Sequence, residues 1–349
     1  MRTATLEETL GSAVAFGPET VVPVVDLYAG IGGFSEGAML AGHEVRVVVD
    51  CDGEAMQWHE ANHPHAQHYT YALPDPRLLA RLPAPGSRYH LHGSPPCTFL
   101  SKACRTDHLE RDRRGVQAVR HYLELARSLD PASFSLEQVE NAAVLGVLTE
   151  FAARFPGWLD FEVVRMEQYG VPQSRKRIIA GSPWLIERLR SARDTFAAPR
   201  ARGAFQNVPP GAVGLKGSAT NRSRRYVQRG PSRQLPAFHR RNRPLAMASR
   251  QKRGGLAAPA PTVLANSSLQ WTREGGLTLC ALTLREHADL QTFPRAYVFP
   301  DDRKLAQRLV GNAVPPAFAK LLMSCYRLPV ERDGFPVPVW PKRPPSPSL

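Results

Sequence analysis

A chain of 349 residues with 43% apolar content and a formal charge of +14 can form a large catalytic domain and a smaller companion. Its opening stretch carries Glu7, Glu8 and Glu19 among short apolar pieces, which argues against a signal peptide or a membrane span of about 20 apolar residues and sets a cytoplasmic location as the expectation. Five cysteines, at 51, 97, 104, 280 and 325, form no C-x-x-C pair and leave an odd number, so neither a disulfide framework nor a metal site is expected.

Taken in order, residues 21–27 read as a buried parallel strand, followed by a glycine turn at 30–33, a helix over 34–41 and a second apolar strand over 45–49 that ends on Asp50. The βαβ texture continues with a strand near 89–92, a helix carrying Val116, Val119, Leu123 and Ala126 on one face, and strands near 134–139 and 161–166. Around Ala197 the texture changes to Gly, Pro, Arg and Ser without a regular period, and helical spacing returns over 283–291, 303–309 and 316–326. Alternation of this kind predicts an α/β fold built on a doubly wound, mostly parallel sheet, with a smaller, irregular basic domain inserted into it. The expected division is an N-terminal segment 1–20, a catalytic domain in two parts, 21–190 and 274–328, a recognition region 191–273, and a proline-rich tail 329–349.

The charge is local. Residues 195–273 hold 15 Lys or Arg and no Asp or Glu, so the rest of the chain is close to neutral. An acid-free basic segment suits a polyanion, because neutralised phosphates release their counterions, and nucleic acid is the expected partner.

Three places in the first half carry candidate chemistry. The strand-to-turn stretch Asp26-Leu27-Tyr28-Ala29-Gly30-Ile31-Gly32-Gly33-Phe34, with Asp50 ending the next strand, can bring a ligand close to the backbone and accept from ribose hydroxyls. Its glycine spacing departs from G-x-G-x-x-G, which favours an adenosine ligand without phosphates, such as S-adenosylmethionine, over a dinucleotide. Gly93-Ser94-Pro95-Pro96-Cys97 follows a strand, and its two prolines present Cys97 instead of burying it; as a thiolate it can add to an electron-poor ring carbon. Glu137-Gln138-Val139-Glu140-Asn141 ends another strand of the same sheet and places a carboxyl near Cys97, Glu140 being the first choice and Glu137 the competitor. Beyond Gly170-Val171-Pro172, the stretch Gln173-Ser174-Arg175-Lys176-Arg177 puts two arginines on one face of a short strand.

Together these residues resemble the DNA (cytosine-5) methyltransferase family. That family runs through a D-L-F-A-G-x-G-G-F turn, a P-C nucleophile loop, an E-N-V segment, Q-x-R-x-R, a variable recognition region, an R-E-x-A-R-L-Q-x-F-P helix and G-N-x-V-P-P. The chain offers these in order as 26–34, Pro96-Cys97, Glu140-Asn141, 173–177, Arg285-Glu286-His287-Ala288-Asp289-Leu290-Gln291-Thr292-Phe293-Pro294 and Gly311-Asn312-Ala313-Val314-Pro315-Pro316. Each element is a weak signal, and their order makes the set specific.

The resemblance implies a Rossmann-like, S-adenosylmethionine-dependent enzyme acting on a cytosine flipped out of double-stranded DNA. It implies that Cys97 adds to cytosine C6, that protonated Glu140 bonds N3, and that Arg175, with Arg177 beside it, holds the carbonyl oxygen. The implied cofactor set is Asp26, Tyr28, Ala29, Gly30, Ile31, Gly33, Asp50, Cys51, Pro95, Asn312 and Ala313, and the implied DNA contacts are Ser101, Arg224, Arg225, Arg240, Arg241 and Arg243. The protein is expected to act as a monomer, with a companion restriction endonuclease left open. Departures from the pattern are Thr98-Phe99 after the nucleophile, Ala142 after Glu140-Asn141, Asp50-Cys51 in place of Glu and an aromatic, and no clear partner for the adenine amino group unless it is Asp75. Three alternatives remain. A tRNA-acting relative is disfavoured by the long basic insertion, and a silent DNA-binding relative by retention of Cys97 and Glu140. A dinucleotide oxidoreductase leaves the later elements unexplained.

Overall fold

A computed structural model describes residues 21–97, 108–193, 199–217, 254–266, 268–326 and 338–340. Six strands and four helices alternate through the first half: β1 (Pro23–Leu27), α1 (Gly33–Leu40), β2 (Glu44–Asp50), α2 (Gly53–Asn62), β3 (Gln67–Thr70), β4 (His90–Gly93), α3 (His108–Leu129), β5 (Ser133–Val139), α4 (Ala142–Arg154) and β6 (Asp160–Arg165). The two-residue β7 (Gln173–Ser174), then β8 (Lys176–Gly181) and α5 (Pro183–Ser191), complete this part. The seven-stranded sheet has the order β3-β2-β1-β4-β5-β8-β6, parallel except for β8, which runs against both of its neighbours.

Strand periodicity sorts the core into two layers. Val24 and Val48 pack on one face with Phe34, Ala38, Leu185 and Phe318, whereas Val25 and Val49 pack on the other with Leu123, Val147 and Leu148. The sheet is therefore covered by helices on both sides, the doubly wound arrangement expected from the alternation. Helix α2 escapes a periodicity reading because only Ala55, Met56 and His59 are buried; its start is set by Asp52, whose side chain caps the N–H groups of Glu54 and Ala55.

The described residues of the basic region, 199–217, 254–266 and 268–273, are less irregular than expected. Strands β9 (Gly214–Gly217), β10 (Gly254–Gly255), β12 (Leu269–Thr272) and β13 (Thr278–Ala281) form a small antiparallel sheet, and β11 (Ala260–Pro261) pairs with β7. Since β13 pairs with β12, the boundary expected at residue 273 falls inside this sheet and has to move beyond Ala281. No described strand here exceeds four residues, too short for alternation to show in the sequence. The small sheet is held by Leu215, Leu269 and Trp271, the last also donating to Glu286 Oε1 at 3.0 Å. Glu286 belongs to α6 (Leu284–Leu290), whose start is a capping box with Thr283, and α7 (Arg303–Asn312) and α8 (Pro316–Ser324) follow.

The C-terminal helices return to the first turn of the fold. His43 accepts from Val22 N through Nδ1 and donates to Met323 O at 3.0 Å, joining residues 280 apart, and burial lowers its pKa so that it stays neutral. Helices α1 and α8 meet across glycines: a Cβ on Gly33 would lie 2.1 Å from Val314 O, and one on Gly37 would lie 2.4 Å from Ala319 Cβ. No described helix is long and apolar enough to cross a membrane. The packing predicts that Gly37→Ala destabilises the fold by about 1–3 kcal/mol through overpacking, read as a lower urea midpoint with an unchanged slope.

Candidate active site

The parallel register brings the candidate residues to one edge. Leu27 pairs with Val49 and with Gly93, and Gly93 pairs with Leu136, so Tyr28, Asp50, Ser94 and Glu137 all emerge at the carboxyl ends of adjacent strands. Antiparallel β8 starts where these strands end, which delivers Arg177 opposite Val139. The pocket there is lined by Asp26, Tyr28, Ala29, Gly30, Ile31, Phe34, Asp50, Cys51, Asp52, Ala55, residues 94–97, Glu137, Arg308, Leu309 and residues 312–314.

Its floor is a backbone turn tied to two aspartates. Gly30 N donates to Asp50 Oδ2 at 2.8 Å and Asp52 N to Asp50 Oδ1 at 2.8 Å. Asp26 is fully buried; its Oδ2 accepts from Ser35 Oγ at 2.7 Å, while Oδ1 has no hydrogen-bond partner among the described residues. Burial raises Asp26 to about 7, against the Ser35 hydrogen bond and with help from the Asp50 charge. Ser35 continues to His59 and His68 at 3.1 and 2.9 Å, and among the described residues no group of His, Cys, Asp and Glu is placed to hold a metal ion.

The nucleophile loop is pinned from below. Ser94 N donates to Leu27 O at 3.1 Å, Gln138 Nε2 donates to Pro95 O at 2.9 Å, and Cys97 stands partly buried at the rim. Burial raises the Cys97 thiol pKa; the charge of Glu137 adds to this, and Arg177 and Arg175 oppose it. Glu137 is buried, with Arg177 Nε 2.8 Å from its Oε1, a charge contact without an aligned hydrogen bond at that oxygen.

Several expected residues sit elsewhere. Glu140 lies past the end of β5 with its side chain 40% exposed, accepting from Lys176 Nζ at 2.6 Å, and Asn141 caps α4 by accepting from Ala143 N. The carboxyl that faces Cys97 is Glu137. Arg175 does not share a face with Arg177: it falls between β7 and β8, fully buried, donating to Val263 O, Gly311 O and Ala313 O at 3.2, 3.3 and 3.1 Å. Nη1 and Nη2 are engaged with these carbonyls and Nε has no hydrogen-bond partner among the described residues; Arg175 does not line the pocket. Gly33 is absent from the lining because its open side faces Val314 O, and Asp75 is engaged with Arg77 outside the pocket. Of the remaining cofactor set, Asp26, Tyr28, Ala29, Gly30, Ile31, Asp50, Cys51, Pro95, Asn312 and Ala313 all line the pocket. Ser101, Thr98-Phe99, Arg224, Arg225, Arg240, Arg241 and Arg243 lie outside the described residues.

Sequence reading misses Asp52, Ala55, Arg308 and Leu309, all in the lining. Arg308 reaches from α7 to Asp52 and Glu54, closing one rim with an ion pair. No local pattern marks these residues, because the contact joins positions some 256 apart.

The family described as C-5 cytosine-specific DNA methylase matches residues 22–182 and 224–325. The Type II methylase M.HgiDII of Herpetosiphon aurantiacus is 25% identical over 334 residues, covering 86% of this chain and 93% of its own length. The Type II methyltransferase M1.HphI of Haemophilus parahaemolyticus is 26% identical over 326 residues, with 85% and 84% covered. The crystal structure of the S. pombe Dnmt2 methyltransferase superposes with a TM-score of 0.55 at 17% identity, covering 87% of this chain and 98% of that one, a likeness of fold.

Two outcomes follow from the electrostatics. Removing the Glu137 charge lowers the Cys97 pKa, so Glu137→Gln shifts the pH profile of Cys97 alkylation by iodoacetamide toward lower pH. Asp26 holds its proton up to about 7 when folded, but the unfolded chain releases it near 3.8, so the folded state loses stability as pH rises between these values. Asp26→Asn lacks that loss, and its melting temperature relative to wild type rises from pH 4 to about pH 7 and then levels.

Proposed function

Because the chain belongs to the C-5 cytosine-specific DNA methylase family and so is a DNA (cytosine-5-)-methyltransferase, we propose that it acts through a covalent bond from Cys97 to C6 of a flipped-out cytosine, with Glu137 in place of Glu140 at N3. The observation that carries this reading is the convergence of Cys97, Glu137 and Arg177 at one sheet edge, beside a pocket walled by carboxylates.

The pocket suits S-adenosylmethionine. The buried Asp26 oxygen without a partner matches the cationic methionine end, to which Asn312 is adjacent in the lining, while Asp50 and Tyr28 offer a carboxylate for ribose hydroxyls and a ring for adenine. When bound, the cofactor supplies the methyl group that ends on C5.

The protein's own part is proton and charge control. Addition of the Cys97 sulfur to C6 forms an S–C bond and pushes the ring electrons toward C5 and N3. A proton held on Glu137 and shared with N3 keeps charge from accumulating on the ring. The same proton removes the Glu137 charge that disfavours the Cys97 thiolate and leaves the Arg177 guanidinium unopposed, so one protonation event favours both partners. Loss of the C5 proton and departure of Cys97 then restore the aromatic ring. A base stacked in a duplex cannot reach this edge, hence the flipped-out cytosine. The basic segment, including Arg224, Arg225, Arg240, Arg241 and Arg243, supplies phosphate contacts, with Ser101 reaching the DNA from the nucleophile loop. A pocket completed within one chain supports a monomer, and the Type II names of the relatives support a companion endonuclease.

Transfer of label from methyl-labelled cofactor into duplex DNA tests the assignment. Cys97→Ser is inactive and forms no adduct with 5-fluorocytosine DNA on a denaturing gel. Glu137→Gln loses about 10²–10⁴-fold in rate, the usual worth of a positioned acid, and Glu140→Gln stays close to wild type. The opposite order for the two glutamates would restore Glu140 to the reaction.

A further inference from the structure

Beneath the nucleophile loop the sheet interior is polar. On β4, His90 and His92 point to the same face as Ser133 and Ser135 of β5, and the register pairs His90 with Ser133 and His92 with Ser135. The four side chains, all buried, join in a row: Ser133 Oγ to His90 Nδ1 at 2.7 Å, His90 Nε2 to Ser135 Oγ at 2.9 Å, Ser135 Oγ to His92 Nδ1 at 2.8 Å, and His92 Nε2 to Ser94 Oγ at 3.0 Å. The last member lines the pocket, and the next step of the same register would set Ser94 beside Glu137. The His92 ring also lies flat on Phe34, another lining residue, with centroids 3.4 Å apart and planes within 4°.

A central sheet position ordinarily carries an aliphatic side chain, and two buried imidazoles cost stability unless each nitrogen is satisfied. Here each nitrogen is, and the row ends at the loop that carries Cys97. We propose that His92 is a positioning residue for that loop, fixing Ser94 through its Nε2 and the Phe34 wall through its ring face; this rests on the reading of Cys97 as nucleophile.

The row also controls what Ser94 offers. A neutral imidazole has one donor and one acceptor, so the hydrogen bonds can run head to tail in two senses. If they run from Ser133 toward Ser94, the Ser94 hydroxyl receives from His92 and keeps its own proton to donate into the pocket. If they run the other way, that proton is given to His92 and only lone pairs face the pocket. Burial pushes His90 down to about 3, with His43 adding to it, and His92 well below its ordinary value, so the row stays neutral at working pH.

The test uses the full-length protein and three variants: His92→Phe, which keeps a ring against Phe34 but has no ring nitrogens, Ser94→Ala, and the two combined. Two readouts are taken: single-turnover methyl transfer at saturating cofactor and DNA, with cofactor Kd measured alongside, and the rate of Cys97 alkylation by iodoacetamide resolved by peptide mass spectrometry. The expected result is a fall in the transfer step of about tenfold or more in either single variant, since small misplacement of a reacting group is costly. The transfer step falls even with cofactor saturating, Cys97 alkylation changes severalfold, and the combined variant is no worse than the more affected single one. Wild-type transfer and wild-type alkylation in folded His92→Phe would overturn the proposal and leave the row a packing feature. Should His92→Phe not fold, Ser94→Ala carries the same two outcomes. Alkylation does not depend on methyl transfer, so an inactive wild type would sink the functional reading while the positioning claim is still decided by the thiol.

Discussion

The buried guanidinium of Arg175 is the tie on which the site depends. A cation taken out of water must be surrounded by acceptors, and three backbone carbonyls, of Val263, Gly311 and Ala313, provide them. Burial and the neighbouring Arg177 lower its pKa to about 9, against the pull of Glu137 and Cys97, so it remains charged at neutral pH. Those carbonyls come from two separate late segments, the stretch between β11 and β12 and the C-terminal end of α7. Gln173 and Gln291 reinforce the junction: Gln173 Nε2 reaches Leu290 O and Gln291 Oε1, and Gln291 Nε2 reaches Ala313 O. One ion thus locates the wall formed by Asn312, Ala313 and Val314 against the sheet edge that carries Cys97 and Glu137.

This tie also explains where the sequence was legible and where it misled. Strand and helix order could be read because buried strands and amphipathic helices leave period and length in the residues, and the glycine turn, Pro96-Cys97 and the G-N-x-V-P-P element lie where that order puts them. Roles within a motif were less visible. The E-N-V pattern has two registers in this chain: Glu140-Asn141-Ala142 keeps the first two residues, and Glu137-Gln138-Val139 keeps the first and third. Only the end of β5 decides between them, placing Glu137 inside and leaving Asn141 to cap a helix. Likewise Arg175 and Arg177 are equivalent in the sequence, and a break between two short strands separates a structural cation from one that meets Glu137. The small sheet and the Arg308–Asp52 rim left no local trace because both depend on pairing between distant segments.

Charge is divided along the chain. Asp26, Asp50, Asp52 and Glu137 line the pocket, Asp26 holding its proton up to about 7, while the surplus of basic residues falls in 195–273 of the sequence. Cys97 stands at the rim of that pocket, where burial raises its thiol pKa and Arg177 and Arg175 oppose the shift.

The pocket joins residues 26–34 to residues 308–314, and helix α8 lies directly on α1. During synthesis the first of these segments leaves the ribosome long before the second, and the early sheet waits with one wall missing for some 280 residues of growth. Contacts so far apart in sequence are slow to close and leave apolar surface open meanwhile. The pocket is therefore completed late in the life of each chain: a nascent or truncated copy lacking the 308–314 segment has an open sheet edge where its far wall would stand.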